Sequence, residues 1–166
     1  MHRSRKQRGT VMRGVRALCR SELLLGKRAV ADLLINPALD LSMLDTTKAS
    51  GERHNSFLSR VTDTGLVWGL QSNDGWCVSP SNDDTTPASV MPFWSDRAYA
   101  ARCAVREWAN YAPASISLDE FLNVWLPGMS EDGFLVGTNW NGYLVGKECD
   151  PTQLRDELLA SLNNAP

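Results

Sequence analysis

The sequence predicts a single α+β domain, in which a mostly antiparallel sheet of two hairpins and a short third strand is covered by about four helices. Two observations predict it. Two pairs of β-branched and aromatic runs are each joined through a glycine turn, and separate stretches carry apolar residues at helical spacing. The chain has 166 residues, of which 43% are hydrophobic and 22% charged, so it can build one ordinary core.

The predicted domain opens with a helix over about 47–62. Phe57 and Val61 lie on one side at helical spacing, Thr46 or Thr47 can cap the start, and Gly65 ends the helix.

A hairpin and a third strand follow. Two apolar runs, 66–70 and 76–78, are joined through Asp74-Gly75, which is a strong hairpin signal. Residues 90–94 predict a short third strand, and Pro92 confines it to a sheet edge or a strand end.

Two more helices are predicted in the middle of the chain. Ser95 opens one over about 96–110, and a capping box at Ser117 opens the other, which Pro127-Gly128 stops. Ile116 falls in a short extended piece between them. The apolar stripe of the first of these helices consists of Ala98, Ala101, Val105 and Trp108.

The last elements are a second hairpin and a helix. Residues 134–138 and 143–146 form the hairpin through Asn141-Gly142. Asp150 then caps the last helix, with Pro151 at its first position, Gln153 able to complete the capping box, and Leu154, Leu158 and Leu162 along its apolar side.

The first 42 residues differ from the rest in charge and composition. They hold nine basic and three acidic side chains, a net charge of +6, and the remaining residues carry −8, which together give the chain's −2. They also contain no aromatic residue. We therefore expect a basic segment over 1–42, disordered or loosely helical, followed by the α+β domain over 43–163.

Three interpretations of residues 1–42 stay open. The segment is an arm that touches nucleic acid or anionic lipid, or an organelle-targeting peptide, or the product of a start codon assigned upstream of a true start at Met43. A plain solvated tail is the ordinary outcome for such a charged run.

The four cysteines are spaced irregularly, and no secretory signal or membrane-spanning run is visible. We expect Cys19, Cys77, Cys103 and Cys149 to be reduced and mostly buried, in a cytoplasmic protein.

No catalytic, cofactor or metal site is predicted. His54 is expected to be an ordinary surface histidine, without second ligands at metal spacing. A Cys–His pair through Cys77 or Cys103 stays open in principle, although buried inert thiols are the better expectation. The acidic pairs 83–84, 119–120 and 131–132 are explained by solvation, helix capping and a turn respectively.

Six tryptophans are many for a domain of this size. Trp68, Trp108 and Trp125 fall on predicted apolar faces and are assigned to the core. Trp76, Trp94 and Trp140 lie at strand ends or turns, where an indole can be half exposed. Together with Asp74 these three indoles are the candidate recognition surface, the alternative being that they cap the ends of the core.

Residues 52–162 resemble a small bacterial family of unknown function, number 2750 among the domains of unknown function. The matching motifs run in one order: Glu52-Arg53 with Phe57 and Val61, Trp68-Gly69-Leu70, Asp74-Gly75-Trp76, Pro92-Phe93-Trp94, Trp108, Leu118-x-x-Phe121, Trp125-Leu126-Pro127, Asp132-Gly133, Gly146 and Pro151-x-x-Leu154. The resemblance implies a bacterial, cytoplasmic protein, and it indicates no particular activity. Trp140 lies in a turn where such proteins are expected to vary.

Two functions are weighed. The first is a non-enzymatic protein-interaction module, adaptor or immunity-like, that binds another protein through the face near Trp76 and Trp94. The second is a small-molecule binder or enzyme, with a pocket between sheet and helices that uses Asp74, Cys77 or His54. Nucleic-acid binding would depend on residues 1–42, because the acidic domain repels phosphates.

Overall fold

A computed structural model describes residues 40–83, 85 and 87–164, with side chains from residue 47 onward. The predictions for residues 1–39, and that for Cys19, therefore lie outside the described residues. The predicted α+β class is confirmed, and the chain order of its elements places two parallel strands side by side at the centre of one sheet.

Helix α1 spans Asp40–Thr64 and is longer than predicted. It passes through Thr46 and Thr47, so the predicted cap there is wrong, because residues 40–50 contain no glycine or proline that would interrupt a helix. Gly65 ends the helix as predicted, with a φ of 67° that suits glycine. None of the described helices is both long and apolar enough to cross a membrane.

The first hairpin is confirmed. Strands β1 (Leu66–Ser72) and β2 (Gly75–Trp76) pair antiparallel around a two-residue turn. Strand β5, Ala112–Ser117, pairs antiparallel along the other side of β1 and completes a three-stranded sheet in the order β2-β1-β5.

A second sheet has the order β3-β4-β6-β7. Its strands are β3 Ser79–Pro80, β4 Ser89–Phe93, β6 Phe134–Thr138 and β7 Lys147–Cys149. Strands β4 and β6 are parallel, and the other described pairings are antiparallel. Trp68 and Trp94 exchange backbone hydrogen bonds and connect the two sheets.

Pro92 sits near the end of an interior strand. Strand β3 pairs with Ser89 and Val90 only, so the missing N–H of Pro92 interrupts no β3–β4 ladder.

The second strand of the second hairpin begins later in the chain than predicted. Its second strand was placed at 143–146, but β7 begins at Lys147, after an eight-residue loop over 139–146. The prediction is wrong because Asn141 and buried Trp140 hold this segment in a turn rather than in a ladder.

The helix predicted over 96–110 is shorter. Helix α2 spans Arg97–Cys103, and a 3₁₀ turn follows at Arg106–Trp108. Asp96, not Ser95, caps α2, because its carboxylate accepts the N–H of Ala98 at 2.7 Å. The predicted apolar stripe is wrong except for Trp108: the buried residues here are Ala100, Cys103 and Trp108.

The next helix runs through the predicted stop at Pro127. It consists of α3 (Leu118–Glu120), a π-helical segment (Phe121–Trp125) and α4 (Leu126–Asp132). In a π-helix, a carbonyl accepts the N–H of the residue five positions later, which for Leu122 is Pro127. Because proline has no N–H, the carbonyl of Leu122 accepts a hydrogen bond from Nε of Arg155 instead, at 3.0 Å. The helix ends at Gly133, with a φ of 74°.

The last helix, α5, spans Pro151–Asn163 and is capped as predicted, because Asp150 accepts the N–H groups of Thr152 and Gln153. Leu154 and Leu158 are buried, whereas Leu162 is 39% exposed.

Two clusters form the core. The ring-rich cluster is centred on Phe57, Phe93, Phe121, Trp125, Leu154 and Leu158. The tryptophan cluster consists of Leu70, Cys77, Val90, Trp94, Ala100, Cys103, Trp108 and Trp140.

Candidate functional site

The three tryptophans of the predicted recognition surface are buried. Trp76 is 8% exposed, Trp94 0% and Trp140 2%, so the prediction of half-exposed indoles is wrong. The three indoles belong to the core, in agreement with the alternative interpretation that they cap its ends. Trp68, assigned to the core, is partly buried and packs against the tryptophan cluster.

Specific contacts explain this burial. The ring of Trp76 packs edge-on against Trp125, with 4.8 Å between centroids. The indole N–H of Trp94 donates to the carbonyl of Trp140 at 2.9 Å. The Trp76 ring therefore packs against another ring, and the Trp94 N–H has an acceptor, inside the fold rather than at its surface.

Two glycines make room for Trp140. A Cβ atom on Gly137 would lie 2.5 Å from the indole, and one on Gly146 would lie 2.3 Å from it. The indole N–H donates to the carbonyl of Lys147 at 3.4 Å. Glycines on either side of a tryptophan were the sequence signal for this burial.

Asp74, the fourth predicted residue, is exposed in the β1–β2 turn, where its N–H donates to Ser72. The structure therefore does not bring the four predicted residues together as one exposed surface.

The 139–146 loop instead presents an exposed aromatic side chain at its tip. Tyr143 is 79% exposed, whereas Trp140, three residues earlier, is buried and anchors the loop. The 139–146 loop thus has one aromatic ring buried in the core and one exposed to solvent.

Asn141 holds the turn beneath Tyr143. Its side-chain oxygen accepts the N–H of Tyr143 at 3.0 Å and that of Val145 at 3.1 Å. Its backbone N–H donates to the carbonyl of Val145, and its own carbonyl accepts the N–H of Leu144. One asparagine thus fixes the backbone on both sides of the exposed tyrosine.

Three other elements hold the loop against the body of the fold. Arg53 of α1 donates to the carbonyl of Val145 at 3.4 Å, and Asn82 donates to that of Leu144 at 3.4 Å. The thiol of Cys103 lies 3.5 Å from the carbonyl oxygen of Asn141. Leu144 adopts a φ of 61°, a strained conformation that these contacts hold in place.

The base of the loop is a buried set of polar residues, which we term the polar junction: His54, Ser95, Thr138 and Asn139. Ser95 and Asn139 follow the carboxyl ends of the parallel strands β4 and β6, so the topology brings them together. The amide oxygen of Asn139 accepts the N–H of Ser95 at 2.9 Å, and its NH₂ group donates to the carbonyl of Arg53 at 3.1 Å.

His54 is buried, so its assignment to the surface is wrong. Its Nδ1 lies 2.9 Å from the hydroxyl of Thr138, and its Nε2 lies 2.7 Å from a carboxylate oxygen of Glu157. Because an ionised carboxylate only accepts, Nε2 carries the proton and donates to Glu157, and the Nδ1 of the neutral ring accepts from Thr138. The partner lies 103 positions away in sequence, which is why no local signal identified it.

The charge state of this pair follows from its surroundings. Burial lowers the pKa of His54 below 6.5, together with the positive charge of Lys147, against the opposing effect of Glu157. Burial raises the pKa of Glu157, but the hydrogen bonds from Gln153 and His54 outweigh it, and the pKa of this carboxyl lies below 4.5. A neutral imidazole beside a carboxylate is the resulting state at neutral pH.

The described cysteines are free and buried, as predicted. Burial raises the pKa of Cys77 and Cys149 to about 12 and that of Cys103 to about 11. These thiols are therefore protonated at neutral pH and poor nucleophiles. Among the described residues, no three His, Cys, Asp or Glu side chains group as metal ligands.

The chain belongs to the family described as protein of unknown function (DUF2750), whose family model matches residues 54–158. This range contains the whole polar junction and the 139–146 loop. No curated protein and no solved structure matches the chain significantly.

Proposed function

We propose that this protein is a non-enzymatic protein-interaction module, adaptor or immunity-like in kind, and that it recognises its partner through the 139–146 loop. The observation that carries the proposal is Tyr143, which is 79% exposed on a loop whose backbone is held by Asn141. The recognition surface thereby moves from the buried tryptophans to this tyrosine.

Tyrosine suits this role because it offers a large apolar ring with a polar tip and few rotatable bonds, and it is enriched at binding hot spots. A loop that is already ordered loses less conformational entropy when it binds. The contacts of Arg53, Asn82 and Cys103 with the loop support such preorganisation.

The geometry of Thr138, His54 and Glu157 has the order hydroxyl–imidazole–carboxylate that hydrolases use. The Thr138 side chain is 0% exposed, however, so a substrate has no access to its hydroxyl. This burial favours a structural role for the three residues.

The alternative, a ligand pocket that uses Asp74, Cys77 and His54, has less support. Asp74 is exposed on a turn, Cys77 belongs to the tryptophan cluster, and His54 bonds Thr138 and Glu157. The three side chains thus have different neighbours.

We also propose that the protein works in the bacterial cytoplasm. Three buried, free thiols suit a reducing compartment. The family resemblance supports a bacterial source.

Affinity capture from the native cell, with the full chain as bait, tests the proposed function. We expect at least one protein captured by the wild type to be recovered ~tenfold less with Tyr143→Ala, as for a hot-spot residue. Quantitative mass spectrometry of the eluates measures the ratio.

Leu162→Ala is the matched control, because Leu162 is also an exposed apolar side chain, 39% exposed, at the end of α5. This control should leave recovery unchanged. Equal recovery of every captured protein with Tyr143→Ala and wild type would contradict the proposed recognition loop.

A further inference from the structure

Two arginines from different helices meet on one tyrosine ring at the surface. The guanidinium carbon of Arg60, on α1, lies 5.5 Å from the centroid of the Tyr99 ring, and that of Arg102, on α2, lies 5.8 Å from it. Arg60 Nη1 is also 3.5 Å from the hydroxyl of Tyr99. We term Arg60, Tyr99 and Arg102 the Arg–Tyr cluster; it is separate from Tyr143.

The positive charge of this cluster is only partly compensated. Asp96 compensates Arg60: its Oδ2 lies 3.8 Å from Nη1 of Arg60, while its Oδ1 accepts the N–H of Ala98 as the cap of α2. Arg102 forms no ion pair within the described part of the chain. Both arginines are exposed.

The two arginines of the cluster lie in a domain that is acidic as a whole. From residue 43 to the end, the chain has eight basic and sixteen acidic residues. Two of the eight basic residues converge on Tyr99, and the ring holds their guanidinium groups in place. Ordered guanidinium groups lose less side-chain entropy when they bind an anion.

We propose that the Arg–Tyr cluster is a second interaction surface, which binds an acidic segment of a partner protein. Guanidinium groups bind carboxylates through two parallel hydrogen bonds. The contacts of Arg60 with the Tyr99 hydroxyl and with Asp96 both involve Nη1, so the edge formed by Nε and Nη2 can receive a carboxylate. The net charge of −8 over residues 43–166 repels a long polyanion such as nucleic acid, whose charge extends well past one small cluster. A short acidic segment can contact the two arginines without extending over the acidic part of the domain surface.

A tetraglutamate peptide is the probe, because it is short enough to contact the Arg–Tyr cluster alone. It is titrated into the full chain at low salt, and binding is followed by fluorescence anisotropy of a label on the peptide. Because each of the two substitutions removes one exposed ion pair with the peptide, we expect Arg60→Ala with Arg102→Ala to weaken binding about fivefold. Amide chemical shifts should move at Tyr99 and Arg102 when the wild type binds.

Lys48→Ala with Arg106→Ala is the matched control, since it removes the same charge from two exposed side chains outside the Arg–Tyr cluster. It should weaken binding less than twofold, by comparison with the larger loss at two directly contacting pairs. Arg60→Lys with Arg102→Lys keeps the charge and loses the planar fork, so its affinity should fall between wild type and the alanine pair. Thermal unfolding of each variant checks that the fold is kept.

Three results would overturn the proposal. The first is no binding of tetraglutamate by the wild type. The second is an equal loss in the two alanine pairs, which would mean a response to net charge alone. The third is tighter binding of a single-stranded octanucleotide that depends on Arg60 and Arg102, which would make the cluster a nucleic-acid site.

Discussion

The ring-rich cluster is held by contacts between apolar groups, whereas the polar junction is held by directed hydrogen bonds. Phe93 packs edge-on against Phe121 at 4.9 Å and Trp125 at 5.9 Å. Asn139, in contrast, bonds Ser95 and the backbone of Arg53 at the base of the 139–146 loop. The ring-rich cluster buries the apolar surface that stabilises the fold. The polar junction fixes the position at which the 139–146 loop begins.

The largest expected effect falls on the ring-rich cluster. Phe121→Ala, at a residue that is 0% exposed, should lower the free energy of unfolding by about 3–5 kcal/mol through lost burial and a cavity. Urea denaturation followed by tryptophan fluorescence measures it. Leu66→Ala, at a side chain 38% exposed, should cost far less; an equal cost would contradict the central position of Phe121.

A smaller effect is expected at the polar junction. Asn139→Ala should lower the free energy of unfolding by about 2–3 kcal/mol, because it leaves the N–H of Ser95 and the carbonyl of Arg53 without this partner. Alanine would also occupy a φ of 45°, which asparagine tolerates better.

Asn123→Ala, on an exposed helix face, is the control for this substitution and should be nearly neutral. If Asn139→Ala were equally neutral, the junction would contribute nothing to stability, and the contrast between the two regions would fail.

The smallest of these stability effects is a pH dependence. The pKa of His54 is below 6.5 in the fold, so its contribution to stability is present above pH 6.5 and is lost as pH falls through the lowered pKa. The lowered pKa of Glu157 acts in the same direction below 4.5. Tm should therefore fall on acidification from pH 7.5 to 5.5.

His54→Gln should flatten this pH dependence, because glutamine can still donate to Glu157 but does not titrate. His2→Gln removes the only other histidine and should leave the pH dependence as in the wild type. Parallel curves for wild type and His54→Gln would show that His54 is not the titrating group.

Local signals predicted the features that depend on a few neighbouring residues. Gly65 ends α1, Asp150 caps α5, and the β1–β2 hairpin turns before Gly75, each because a turn or cap is decided within a few positions.

The features that were missed depend on distant partners. His54 needs Glu157 to be satisfied when buried, Trp94 needs the carbonyl of Trp140, and the Leu122 carbonyl beside Pro127 needs Arg155. A single sequence gives apolar spacing but not these pairings, so the predicted recognition site fell on buried tryptophans.

The proposed recognition requires that the 139–146 loop is ordered before it meets a partner. Backbone ¹⁵N relaxation of the full chain tests it most directly. The amides of Tyr143, Leu144 and Val145 should have order parameters of about 0.85, as in the strands, and Asn141→Ala should lower them. Order parameters below about 0.6 in the wild type would contradict the claim, since Tyr143 would then lie on a flexible loop.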